Sequence, residues 1–230
     1  SSDLLGGFGI GTAEFASMGL LPEIASGFGI TEPAAGHAIS AYALGVVVGA
    51  PVLTALSARV PRKTLLVALM TVFTVGNLAT ALAPSYALLV VARFICGLPH
   101  GAFFGVAALA AAHLMGPGQQ AKAVANVMAG QTVATVVGVP VASWLGQTLG
   151  WRCAFALVVA VGVATLAAIW RWMPDLRSMQ ITSVLTELGA LTRVQVWLAL
   201  VVGMVGFGGM FAVYTYISTT LTDVAGLPRT

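Results

Sequence analysis

The sequence predicts an all-α integral membrane protein, and three observations carry that expectation. Of its 230 residues 59% are hydrophobic, only 7% are charged, and the apolar residues come in long runs separated by short polar breaks. Soluble domains hold roughly 25% charged residues, and a helix crosses a hydrocarbon core of about 30 Å with about 20 apolar residues. A soluble bundle would need polar helix faces, which these runs lack.

In chain order the runs place spans at Leu4 to Ile24, Ala34 to Ser57, Thr64 to Ala83, Tyr86 to Ala112, Lys122 to Gln147, Trp151 to Trp172 and Val194 to Ile217. The breaks use ordinary turn chemistry: Thr31-Glu32-Pro33, Val60-Pro61-Arg62-Lys63, Pro84-Ser85, Gly116-Pro117-Gly118-Gln119-Gln120 and Gly150. One long connection, with Arg177, Glu187 and Arg193, joins the sixth span to the seventh and has room for a short surface helix. The expected division is therefore a six-span bundle over 1–172, a cytoplasmic loop over 173–193, and over 194–230 the first helix of a second bundle. A chain that opens almost inside a helix and stops soon after a seventh span reads as a fragment of a longer protein. The first run has no basic leader, contains Glu14 and continues into further spans, so it reads as a retained helix.

The bases are distributed by side. Arg59, Arg62, Lys63, Lys122, Arg171, Arg177 and Arg193 fall in the even-numbered loops, and only Arg152 and Arg229 flank the odd ones. The positive-inside rule then puts the N-terminus in the cytoplasm. Bases this scattered make no nucleic-acid footprint, so none is expected as a partner. Cys96 and Cys153 lie in apolar stretches with no CxxC or His-rich neighbourhood, which gives packing roles rather than a disulfide or metal site. No cofactor is expected. No paired aspartates, Ser-His arrangement or HExxH occur in the spans, so an enzyme is not expected either.

An internal repeat is written into the second and fifth spans. Val48-Gly49-Ala50-Pro51-Val52 recurs as Val137-Gly138-Val139-Pro140-Val141, and at the same offset Lys63 meets Arg152. Three spans per repeat is an odd number, so the copies run in opposite directions, as in inverted-topology transporters. Stripes of small residues, Gly97, Gly101 and Gly105 in the fourth span and Gly130, Ala134, Gly138, Ala142 and Gly146 in the fifth, allow close backbone approach. Pro51 and Pro140 each remove a backbone donor within a helix, which makes Gly49, Pro51, Gly138 and Pro140 candidate hinge and packing residues.

Two charges stand out for their depth. Glu14 lies about ten residues from either end of its span, near the midplane at about 1.5 Å per residue. A central charge costs at least ~2.5–3.5 kcal/mol on insertion scales and is by default a functional candidate. Arg93 enters the fourth span from the opposite side at a similar depth, within reach of a Glu14 pair. Glu14 and Arg93 are the candidate proton-coupling residues, the competing reading being a buried ion pair that fixes helix positions. Thr12, Tyr42, His100, Asn126 and Gln131 are polar at comparable depth and are candidates to line a substrate cavity; His100 reads equally as a hydrogen-bonded packing residue.

The motifs also carry a resemblance. Gly11-Thr12-Ala13-Glu14-Phe15 with Met18-Gly19-Leu20-Leu21-Pro22, then Ala41-Tyr42-Ala43-Leu44-Gly45 and Gly49-Ala50-Pro51, resemble the twelve-span drug:proton antiporters of the major facilitator superfamily. The likeness is closest to bacterial chloramphenicol-resistance and arabinose or sugar-efflux members. Arg93-x-x-x-Gly97 resembles the family's fourth-span signature, whose arginine is implicated in proton coupling. Gly138-Val139-Pro140 with Gly150-Trp151-Arg152-x-x-Phe155 resembles its fifth-span antiporter motif and sixth-span entry, and Leu221 to Gly226 resembles the segment after the seventh span.

One motif departs from the pattern. The family's second loop reads Gly-x-x-x-Asp-Arg-x-Gly-Arg-Lys, whereas Ala58-Arg59-Val60-Pro61-Arg62-Lys63 keeps the bases Arg59, Arg62 and Lys63 and lacks the aspartate and glycine. In the family that aspartate helps latch the outward-facing state.

The resemblance implies a six-helix bundle of two inverted three-helix repeats plus the seventh transmembrane helix, in a bacterial inner membrane. It also implies proton-driven efflux of small amphipathic drugs or sugars by alternating access, with the bilayer, protons and a small molecule as partners. The rivals are an uncoupled facilitator of the same fold and a seven-span sensor or receptor. A retinal version of the latter fails, since the only lysines, Lys63 and Lys122, sit at loop edges.

Overall fold

In the computed structural model the described residues are 2–56, 60–116, 118–174, 192–217, 220–221 and 224. Every regular element among them is helical: α1 (Ser2–Gly19), α2 (Leu21–Phe28), α3 (Glu32–Ala35), α4 (His37–Leu56), α5 (Arg62–Ala81), α6 (Tyr86–Met115), α7 (Gln120–Val133), a π-turn (Ala134–Gly138), α8 (Val139–Leu149), α9 (Trp151–Trp172) and α10 (Val194–Thr215). The loop base Arg59, most of the connection after the sixth span, and most of the segment after the seventh lie outside the described residues. Two compact units are defined, Ser1–Met179 and Gln180–Thr230. The second holds α10, a helix of 22 residues.

Six of these helical stretches are long and apolar enough to cross a membrane, and a bent pair, Leu4–Gly19 with Leu21–Phe28, makes up to seven. The first span, expected from Leu4 to Ile24, is bent within that stretch, because α1 and α2 meet at 65°. Pro22 stands in the first turn of α2 and has no N–H to carry the α1 ladder onward. Leu20, at φ −106° and ψ 17°, leaves helical geometry at the joint. The other breaks follow their turn residues. Thr31 caps α3 by accepting from the Ala34 N–H at 3.3 Å, and Ser85 caps α6 by accepting from Leu88 at 3.4 Å. Gly150 separates α8 from α9 with φ of 96°, a conformation open to glycine.

The two Gly-x-Pro copies are not folded alike. Pro51 sits inside a continuous α4, on its exposed side. Pro140 follows the π-turn, where the Val139 N–H reaches back five residues to the Ala134 carbonyl.

Within the first unit α4 packs on α6, α1 packs on α7, the π-turn and α8, and α5 packs on α9. In terms of spans these pairs are two with four, one with five and three with six. The set is unchanged when the first three spans are exchanged with the second three, as an inverted repeat requires. Lipid offers no hydrophobic drive between helices, so close contact must come from small residues and fitted surfaces. A Cβ on Gly45 or Gly49 would strike the carbonyls of Phe94 or Leu98 on α6, and one on Gly130 would strike the Leu4 carbonyl on α1.

Two apolar clusters fill the bundle. One gathers Ile10, Leu66, Met70, Phe73, Phe103 and Val158. The other gathers Leu20, Leu21, Ile24, Leu89, Trp151 and Phe155. Glu14 on α1 and Arg93 on α6 fall at positions between these two sets.

Candidate functional site

Arg93 is the largest fully buried side chain of the bundle, at 1% exposure. Four helices position it. Its Nη2 donates to the Ala13 carbonyl of α1 at 3.5 Å. Its guanidinium lies 4.3 Å from the centroid of the Tyr42 ring on α4 and 5.5 Å from that of Phe155 on α9. Its Nε and Nη1 make no hydrogen bond to the described residues, so aromatic faces are the principal surroundings of the charge. A desolvated cation over an aromatic face gains about 2 kcal/mol or more, and Arg suits this role because its planar head stacks.

Glu14 is the next residue after the carbonyl that Arg93 reaches. Its carboxylate accepts a hydrogen bond from Gln131 Nε2 of α7 at 3.3 Å. Glu14 and Arg93 are Coulombic neighbours without forming a direct ion pair. The expected pairing therefore takes an indirect form: the base holds the backbone one residue before the acid, and the amide of the fifth span holds the acid itself.

Of the other polar residues expected at this depth, Tyr42 and His100 find each other, with the Tyr42 hydroxyl and His100 Nδ1 sharing a hydrogen bond of 2.8 Å. Thr12 turns its hydroxyl back to the Phe8 carbonyl at 2.8 Å and packs beneath Gly138, where a Cβ would meet Thr12 Oγ1. Asn126 is brought to none of these groups. It is exposed, and its Nδ2 lies 4.0 Å from Met115 Sδ at the end of α6. The reason is length: α7 begins at Gln120, so Asn126 sits within its first two turns.

The hinge and packing candidates divide by role. Gly49 and Gly138 are contact points, against the Leu98 carbonyl and Thr12, while Pro51 and Pro140 are exposed. Arg62 and Lys63 open α5. Cys96 and Cys153 are free thiols, Cys96 lying 3.8 Å from Thr80 Oγ1. Among the described residues no cluster of potential metal ligands occurs.

Sequence reasoning missed the parts of the site made of backbone and carbon: the Ala13 carbonyl and the Phe155 ring beside Arg93. Phe155 was visible only as the last letter of a motif. It also missed a clamp at the other end of the bundle, where Arg152 donates to the Ala83 carbonyl at 2.9 Å and stacks on Trp151 at 4.3 Å and Phe28 at 5.7 Å.

A model of the Major Facilitator Superfamily matches residues 4–230, and the chain belongs to that family. It is 44% identical over 220 residues to the inner membrane transport protein YdhP of Escherichia coli K12, covering 96% of this chain and 57% of that protein. It is 36% identical over 225 residues to a chloramphenicol resistance protein of Streptomyces lividans, covering 95% of this chain and 57% of that protein. The chain thus spans little more than half the length of these relatives. A crystal structure of a D-xylose-proton symporter superposes with a TM-score of 0.60 at 20% identity, covering 92% of this chain and 56% of that one, which shows the shared fold. The fold is the all-α membrane architecture of this transporter family rather than an enzyme's.

Proposed function

We propose that the chain is the N-terminal part of a proton-coupled antiporter that exports small amphipathic drugs or sugars by alternating access. Residues 1–172 form the first six-span bundle, 173–193 the connecting loop, and 194–230 the start of a second bundle, with the N-terminus in the cytoplasm of a bacterial cell. The observation that supports this most is the Glu14 environment. A carboxylate in the first span is held by Gln131, and a fully buried arginine grips the adjoining backbone.

Such a carboxyl binds a proton when the site loses access to water and gives it up when access returns. Arg93 is the cation beside Glu14, so a motion that changes their separation changes the charge the carboxyl experiences. Gln131 and His100 are half-buried and complete the polar face that a substrate meets, with Thr12 and Tyr42 supporting them from behind.

The test is proton flux in proteoliposomes containing the full-length protein, with chloramphenicol and arabinose added in turn. Substrate-triggered proton movement is the expected result and selects the substrate class. Substrate flux without protons makes the protein a facilitator.

A further inference from the structure

We infer that Tyr42 and His100 form a positioning pair for Arg93, fixing the guanidinium beside Ala13 and with it the charge that Glu14 experiences; this rests on the reading of Glu14 as the proton-linked carboxyl. Arg93, Gly97 and His100 are spaced by four and three residues, which puts them on one face of α6. Gly97 supplies no side chain, and a Cβ there would collide with the carbonyl of Tyr42 itself. α4 therefore lies against α6 at backbone distance, and the Tyr42 side chain runs along α6 over the gap. One part of it meets Arg93, with the ring centroid 4.3 Å from the guanidinium, and its hydroxyl meets His100 at 2.8 Å.

His100 is itself backed by Phe104, whose ring centroid lies 5.2 Å away. The hydroxyl is therefore anchored to a side chain that is held in turn. Without that anchor the buried Tyr42 ring loses the one bond that fixes its hydroxyl, and Arg93 rests on a ring no longer held in place, on Phe155 and on one long bond to a carbonyl. Among the described residues the charged and titratable groups around Glu14 are Arg93 from α6 and Tyr42 from α4, while α7 brings the neutral Gln131. Moving Arg93 thus moves the dominant charge in the site.

The experiment follows the Glu14 carboxyl of the full-length protein by infrared titration, its band assigned by loss in Glu14→Gln. Tyr42→Phe and His100→Phe are each expected to move the midpoint by about one pH unit, and the double variant to move it no further, since the two act as one unit. His100→Asn, whose amide reaches the Nδ1 position, is expected to titrate as the wild type. Unchanged midpoints in Tyr42→Phe and His100→Phe, additive shifts in the double variant, or His100→Asn behaving as His100→Phe would overturn the pairing. Substrate-triggered proton release is measured on the same samples. Its absence in the wild type overturns the antiport reading and leaves the titration comparison to decide the pair. A Glu14 band that does not titrate overturns both.

Discussion

Tyr42 and Gln131 are 89 residues apart, the separation that also relates Gly49 to Gly138 and Pro51 to Pro140. Each sends its side chain across to the helix its own span packs on: Tyr42 to His100 of α6, Gln131 to Glu14 of α1. The repeat is therefore chemical as well as geometric, with one polar bond at each of the two symmetry-related contacts between the halves, spans two with four and five with one. The two bonds differ in character. One anchors an aromatic ring over a cation, and the other holds a carboxylate.

Replacing Glu14 with Gln in the full-length protein removes the only acidic side chain among the polar groups of the site while keeping its size. Substrate-driven proton movement is expected to fall to background in proteoliposomes, and substrate binding measured by equilibrium titration to persist. Export driven by a proton gradient at the wild-type rate would take Glu14 out of the mechanism.

Arg93→Lys keeps the charge and loses the plane. An ammonium cannot lie flat between Tyr42 and Phe155 as a guanidinium does. Coupled transport is expected to drop by about 10-fold or more, on the scale of the ~1.4 kcal/mol per decade that separates rates. A Lys variant with native turnover would show that net charge alone matters.

The glycines make an internally controlled prediction. Gly49→Ala drives a methyl group into the Leu98 carbonyl, a backbone atom that cannot turn aside, whereas a Cβ on Gly105 meets nothing within 4 Å. Overpacking of this kind costs about 1–3 kcal/mol, while Gly→Ala in an open helical position gains about 0.5–1 kcal/mol. Thermal unfolding in one detergent should rank Gly105→Ala at or above wild type and Gly49→Ala below it.

Arg152→Ala removes the hydrogen bond to Ala83 and the stacking on Trp151 and Phe28, so the junction of α2, α9 and the segment after α5 loosens. A loss of about 1–2 kcal/mol is expected from one charge-assisted bond and an exposed cation–π contact. Arg152→Lys should recover only part of it. Equal unfolding temperatures for all three proteins would mean the clamp holds nothing.

The sequence made the architecture readable because lipid leaves so little choice. Apolar runs of spanning length, with Pro84, Ser85 and Gly150 between them, have one arrangement open to them. The 65° break at Leu20 was less legible, since Pro22 near a helix end reads the same whether it begins a new axis or ends an old one. Counting residues from span ends put Glu14 and Arg93 level with each other, and the structure brings them near. The same counting placed Asn126 level with them, and the structure leaves it beside Met115 instead. The Tyr42–His100 bond joins residues 58 apart on different helices, and no periodicity connects them. Side-chain pairing across helices depends on rotation about each axis, which a uniformly apolar helix does not write into its sequence.

The π-turn from Ala134 to Gly138 seats one residue more than an α-helical turn holds. Each residue of an α-helix advances the spiral by about 100°, so the surplus is rotation stored in the fifth span. Passing that surplus along by one turn toward Gln120 would swing Gln131 around the axis and lift its amide from Glu14, with no span broken and no loop lengthened. The fifth helix is built like a thread with one residue to spare, and the part of it that such a twist would release is the part that touches the acid.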